Sequence, residues 1–200
     1  MILCGYILGR IKKVDLTKVG SGNVGTTNTL RNLGVSAGAI TLLVDCLKCV
    51  FAVAVVWFVM GFRHEDPSIF MVYAGLGTVL GHDFPVYLRF KGGKGIASTL
   101  GFIIALFPFA VPIPAVIFIS VVALTRYVSL GSILGILSFG IEITLFGMLG
   151  RLEYTGTQLY EVYAIVWFIV IVAISLHHAN IKRLINGNEN KFSFHPETRK

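Results

Sequence analysis

IASTLGFIIALFPFAVPIPAVIFISVVAL, residues 96–124, is a run of 29 residues with no charged side chain and with prolines at 108, 112 and 114. As one helix it would be about 44 Å long, well beyond a bilayer core of about 30 Å. As two short helices joined near the prolines it would be a hairpin that returns to the side it left. The choice sets the orientation of everything after it. Four flanking stretches, 35–61, 68–88, 128–150 and 158–176, each read as one membrane-crossing helix. With the hairpin, segments 1–34, 89–95, 125–127 and 177–200 share one side and hold 14 of the 17 lysines and arginines; Arg63 and Arg151 face the other side and Lys48 is intramembrane. With a single kinked helix, Arg126 and the five C-terminal cations would move across. The excess of Lys and Arg in cytoplasmic segments therefore favours the hairpin and puts its open end in the cytoplasm. Arms of about 14 residues reach only about 21 Å, so they need a thinned bilayer or shelter from neighbouring helices.

Composition agrees. The chain has 200 residues, 55% hydrophobic and 14% charged, with mean hydropathy +0.80. Soluble domains carry about 25% charged residues. The expected fold is all-α: a polytopic membrane bundle of about seven helices forming one domain over residues 1–200. Nine residues, MILCGYILG, precede Arg10 and read as the cytoplasmic half of a first helix that lacks its beginning. No basic segment precedes them, so no cleavable signal peptide is expected. The net charge of +7 fits cytoplasmic loops, anionic lipids or anionic substrates. Cys46-x-x-Cys49 has the spacing of a redox or metal pair, but it lies in an apolar helical run with no second pair, and it reads as packing.

The basic side gathers the polar glycine-bearing segments GSGNVGTTNTLR (20–31), GHDFPVYLRFKGGKG (81–95), HHANIKRLINGNENK (177–191) and the short RYVSL (126–130). GSGNVG has the G-x-G-x-x-G spacing of a dinucleotide turn. That fingerprint must follow a strand and open a helix within a βαβ unit. Here a basic segment without strand alternation precedes it, so it fails its context. Its chemistry remains: glycines let backbone N–H groups converge on an anion. Arg31 adds a fork suited to phosphate. Gly92, Gly93 and Lys94 stand just before a helix start, a second phosphate seat. Gly95 follows the lysine where a Walker A loop needs Ser or Thr.

His82 and His177 are candidate bases, ligands or hydrogen-bond donors. His178 and His195 read as solvated. Asn180 and Arg183 lie three and six residues after His177, on one helical face with it. No spacing suits a catalytic metal, and no nucleophile with an adjacent His and acid is present. Asp45 and Lys48 are an i,i+3 pair inside a span, able to neutralise each other; Glu142 has no sequence-local partner.

The three segments resemble, in order, the three motifs of bacterial acyl-phosphate:glycerol-3-phosphate acyltransferases: SGNVGTTN (21–28), GHDFPVYLRFKGGKG (81–95) and HHANIKRLINGNENK (177–191). The resemblance covers nearly the whole chain. It implies a seven-helix enzyme of the bacterial inner membrane, with its motifs on the cytoplasmic side. Such an enzyme moves a fatty acyl group from acyl phosphate to the first hydroxyl of glycerol-3-phosphate, yielding lysophosphatidic acid and phosphate, without cofactor, metal or nucleic acid. By motif match, Ser21, Gly22, Asn23, Gly25 and Asn28 line the donor phosphate site, and Ser21 joins His177 and Asn180 among the catalytic residues. Arg31, Gly92, Gly93 and Lys94 bind phosphate groups, with His82, Ser129 and Arg183 as further substrate-binding positions. Glu189 braces the loop. Thr26 stands where the family often has Ala. Two other classes fit the composition. A transporter could use Asp45, Lys48 and Glu142 as a midplane path, but the polar motifs sit at one face and no inverted repeat is visible. A lipid-binding scaffold would not need so many phosphate donors.

Overall fold

The computed structural model describes residues 2–192; His195, Arg199 and Lys200 lie outside the described residues. Among these residues every regular element is helical. The helices are α1 Cys4–Ile11, α2 Thr26–Leu33, α3 Val35–Arg63, α4 Ser68–Asp83, α5 Ile96–Leu106, α6 Pro112–Thr125, α7 Val128–Met148, α8 Gly156–Leu176 and α9 His178–Ile185. Five elements are long and apolar enough to cross a membrane: Val35–Arg63, Ser68–Leu88, Pro108–Thr125, Val128–Met148 and Gly156–Leu176; α5 is apolar but shorter.

The 96–124 run is two helices. α5 ends at Leu106, a 3₁₀ turn spans Pro108–Ala110, and α6 opens with Pro112 at its first position. Proline is well placed there, because its missing N–H has no partner in a first turn. The arms do not form the tight pair that the sequence suggests. α5 packs on α3 and α4, whereas α6 packs on α7, so a cleft opens between them. The 68–88 span is also broken. α4 stops at Asp83, and Phe84 turns out of helical geometry with φ −125° and ψ 57°. Pro85 is the reason: a residue before proline is pushed away from the α region.

The core lies between α5, α7 and α8. Phe102 and Phe107 meet Phe139 at ring-centroid distances of 6.4 Å and 6.2 Å, and Ile143, Val162, Val166 and Val170 complete the layer. Large apolar side chains such as Leu43, Phe51, Trp57 and Phe58 point outward from α3, the surface a helix presents to lipid. Close helix contact rests on small residues, as in membrane bundles. A Cβ at Gly101 of α5 would stand 2.2 Å from the Cys46 carbonyl oxygen on α3 and 3.0 Å from Cys49 Cβ. Cys46 and Cys49 are buried free thiols in this seam.

The ends of the elements show which segments share a face. Asn23 reaches Gly92, Lys94 reaches Asn180, Ser129 reaches Glu189, and Arg126 and Phe192 exchange backbone and side-chain bonds. α5 thus leaves the face to which α6 returns, as a hairpin requires. The packing makes a direct prediction. Gly101→Ala forces a methyl into backbone and lowers stability by about 1–3 kcal/mol, read as a lower thermal midpoint in detergent. Gly77→Ala, where nothing lies within 4 Å of the new carbon, leaves the midpoint unchanged or higher. Equal midpoints for the two variants would refute the close seam.

Candidate functional site

The first polar loop is built around one side chain. Asn28 is 2% exposed. Its Nδ2 donates to the carbonyls of Leu16, Val19 and Asn23 at 3.1, 3.1 and 2.7 Å, and its Oδ1 accepts from Ser21 N and Asn32 Nδ2, each at 3.0 Å. The amide is saturated, so it shapes the loop. Asn23 Oδ1 accepts from Gly25 N at 2.8 Å, and Gly20 and Gly22 turn the chain through positive φ of 60° and 71°. The loop then enters α2 at Gly25, leaving the first-turn N–H groups of Thr26, Thr27 and Asn28 without helical partners.

The second loop rests on a buried polar cluster. The backbone N–H groups of Gly92 and Gly93 donate to the carbonyls of Asp83 and His82, each at 3.1 Å. Gly93 abuts the His82 ring at Nε2, and a Cβ there would fall 1.8 Å from that nitrogen. Beneath, Lys48 Nζ donates to Asp45 Oδ1 at 2.8 Å and sits 2.5 Å from His82 Nδ1. An ammonium can only donate, so Nδ1 accepts and the His82 proton is on Nε2, toward the glycine. The Asp45–Lys48 pair expected from the sequence is therefore a triad with a residue 34 positions on. Asp83 is 1% exposed and neither carboxylate oxygen has a hydrogen-bond partner among the described residues. The loop ends at Gly95, with φ 73°, and opens α5 with a second set of free first-turn N–H groups.

The third segment closes the site. His177 ends α8, 4% exposed, with Nδ1 2.7 Å from the Ala173 carbonyl oxygen. A carbonyl only accepts, so Nδ1 carries the proton and the neutral ring keeps Nε2 as an acceptor. Burial, reinforced by the nearby Lys94 charge, pushes the His177 pKa down to about 4. α9 carries Asn180, whose Oδ1 accepts from Lys94 Nζ and whose Nδ2 donates to Glu189 Oε1 at 2.7 Å. Ser129 Oγ reaches the same oxygen at 3.1 Å, and Arg183 Nε donates to Glu189 Oε2 at 2.7 Å. Burial pulls the Lys94 pKa down to about 8, with Glu189 opposing and Arg183 adding to the shift.

These parts surround one cavity of about 450 Å³. Ser21, Asn23, Gly25, Asn28, Arg31, His82, Lys94, Ser129, His177 and Asn180 line it. Gly22, Gly92, Gly93 and Arg183 do not; they sit behind it, in the turns and in the Glu189 ion pair. Thr26 and Thr27, donors of the first glycine loop, also line it, as do Thr99 and Asp45, which the sequence does not mark as ligand-binding positions. Nothing in the spacing marks Thr99: it reads as an ordinary helical threonine until α5 is placed. Below the polar head the walls turn apolar with Leu100, Ile103, Phe118 and Ile119, in the cleft between the hairpin arms. Two helix N-termini, Lys94 and Arg31 converge on the head. Lys94 is bonded to a neutral amide, and Arg31 forms no ion pair among the described residues. Such a head takes an anion, and such a cleft takes an apolar chain.

Comparison with known proteins agrees with this arrangement. The family model described as glycerol-3-phosphate acyltransferase matches residues 1–187. A glycerol-3-phosphate acyltransferase of Halalkalibacterium halodurans is 36% identical over 99% of this chain and 97% of its own, and one of Clostridioides difficile is 40% identical over 95% and 88%. The crystal structure of PlsY (YgiH), an integral membrane glycerol 3-phosphate acyltransferase in its glycerol 3-phosphate form, superposes with a TM-score of 0.78 at 33% identity, covering 96% of this chain and 89% of that one. Its lysphosphatidic acid form superposes equally well. With the family model matched over residues 1–187, and the bundle and nearly the whole length in common with these relatives, the chain belongs to the glycerol-3-phosphate acyltransferase family.

Proposed function

We propose that this acyltransferase takes its acyl group from acyl phosphate, delivers it to the first hydroxyl of glycerol-3-phosphate, and works at the cytoplasmic face of the bacterial inner membrane. The observation that carries the reading is one cavity joining a cationic head to an apolar cleft. On this reading the bundle crosses the membrane seven times, with α1 and α5 as the short crossings, and residues 1–200 act as one domain. The first loop, with Ser21, Gly22, Asn23, Gly25 and the α2 N-terminus, holds the donor phosphate, and Asn28 keeps that loop in shape. Arg31 and Lys94 hold phosphate charge, and Gly92 and Gly93, seated on His82, set Lys94. Ser129 and Arg183 act through Glu189 to fix Asn180. The donor's chain lies between the hairpin arms.

The acyl group arrives activated. The hydroxyl oxygen bonds to the carbonyl carbon, the bond from that carbon to the phosphate oxygen breaks, and phosphate leaves. The protein's task is to hold two anions together and aim a hydroxyl. His177 Nε2 can accept a hydrogen bond from that hydroxyl. A pKa of about 4 makes it a weak base, so the reading favoured here gives the proton to the leaving phosphate, with His177 orienting the hydroxyl. Incubating purified protein with glycerol-3-phosphate and either acyl phosphate or an acyl thioester tests the donor. Lysophosphatidic acid and inorganic phosphate should form with acyl phosphate alone. Faster product from the thioester would overturn the assignment.

Three further outcomes are expected. Lys94 loses its charge as pH rises through about 8, so kcat/KM for glycerol-3-phosphate should fall about tenfold per pH unit above that value; Lys94→Ala should raise KM more than it lowers kcat, and a normal KM with a large kcat loss would place Lys94 at the reacting centre instead. For His177, kcat should not titrate near 6.5, and His177→Gln should keep much more rate than His177→Ala; a wild-type rate rising through that pH, with both variants equally inactive, would make His177 the general base. Lastly, Lys191→Cys should resist a membrane-impermeant thiol reagent in intact cells and react after the membrane is opened. Labelling of intact cells would reverse the orientation.

A further inference from the structure

Thr99, like Thr26 and Ser98, departs from the habit of most buried helical hydroxyls in this bundle. Thr29, Thr41, Thr78, Thr125, Ser132 and Thr144 each donate to the carbonyl four residues back, at 2.7–3.0 Å. A membrane helix satisfies a hydroxyl this way because lipid offers no partner. Thr99 Oγ1 is buried with no hydrogen-bond partner among the described residues, in a residue that is 2% exposed and lines the cavity. It is the fourth residue of α5, about 4–5 Å below the helix start. Above it are Lys94 and the free first-turn N–H groups. Below it, Leu100 and Ile103 begin the apolar cleft. Thr99 therefore stands at the boundary between the seat for an anion and the seat for a chain. A ligand with a phosphate head and a long apolar tail has its carbonyl at that boundary.

We propose that the Thr99 hydroxyl donates a hydrogen bond to the carbonyl oxygen of the acyl group being transferred. This deepens the acyl-transfer reading above and rests on it. As the glycerol oxygen bonds to the carbonyl carbon, the carbonyl electron pair moves onto the oxygen, and the bond from Thr99 strengthens. When the pair returns, the bond to the phosphate breaks and phosphate departs. Thr99 gives up no proton and forms no covalent bond. A donor with no partner among the described residues need not break another contact first.

The test uses the full chain in detergent, with acyl phosphate saturating. Thr99→Val keeps the shape and removes only the hydroxyl. Because that hydroxyl has no partner among the described residues, the variant should fold with an unchanged or higher thermal midpoint. Its kcat should fall by about 10–10²-fold, toward the range seen for loss of one oxyanion donor, with KM for glycerol-3-phosphate within about twofold. Thr99→Ser should restore most of the rate. Ser98→Ala is the control: Ser98 is equally buried and equally unpartnered but does not line the cavity, and its rate should match the wild type. An isotope-labelled carbonyl in bound lysophosphatidic acid adds a readout independent of turnover, since its stretching frequency should be lower in the wild type than in Thr99→Val. A Val variant with wild-type kcat and the same carbonyl frequency overturns the proposal. So does a Val variant that loses stability along with rate and is not rescued by Ser, which would make Thr99 structural. A wild-type protein that acylates nothing from acyl phosphate, yet still shows the frequency difference with bound product, overturns the donor assignment and leaves Thr99 supported.

Discussion

The Glu189 carboxylate is the point on which the site depends. It is buried and accepts from Ser129 at the start of α7, from Asn180 on α9, and from Arg183 one turn further along α9. Asn180 then passes the link to Lys94 at the mouth of α5. One carboxylate thereby fixes the distance between segments almost a hundred residues apart in the chain. Its charge is spent on Arg183, so Lys94 is held by a neutral amide and keeps its positive charge for a ligand. A direct Lys94–carboxylate pair would have positioned the lysine equally well and cancelled its field in the cavity.

A second buried ionic cluster supports the glycine loop from below. Asp45 and Lys48 neutralise each other, and His82 joins them through Nδ1 while its ring carries Gly93. Burying such groups in a membrane is costly unless they are paired, and here the pairing fixes a ring against which only glycine can lie. The midplane ion path of a transporter is a poorer description of these residues. They sit directly under a loop at one face, and Lys48 also donates to the carbonyl of Ile2 at 3.3 Å.

Much of this was legible in the amino-acid sequence, for identifiable reasons. Hydropathy located the spans because lipid exposure acts on each helix separately. The charge asymmetry resolved the 96–124 run into a hairpin because it depends on which side a loop occupies and not on how the helices pack. The convergence of the 20–31, 81–95 and 177–191 segments followed from that topology alone. What packing decides was not legible. Pro85 was visible, but the apolar residues around it masked the helix end at Asp83. The splaying of α5 and α6 depends on where α3 and α7 stand. Asn28 shares a motif with Ser21 and Asn23, yet only the fold of the loop shows its amide turned inward and saturated.

The same distinction bears on chemistry. A reaction with an activated acyl donor needs little from a side chain beyond charge, direction and a dry boundary. The residues of the cavity have those properties in excess and lack the alternatives. His177 is neutral, its Nδ1 proton committed to Ala173 and only Nε2 left to orient a hydroxyl. Asp45 is tied to Lys48, and Glu189 is filled by three donors. Among the described residues, no strong base is therefore left facing the head of the cavity. On the proposed reaction, the strongest unengaged proton acceptor in the head is the substrate's own phosphate, which arrives beside two cations and leaves carrying the charge the reaction creates. A site so arranged works by placement, and the many glycines of its loops are what allow backbone and ring to approach closely enough to provide it.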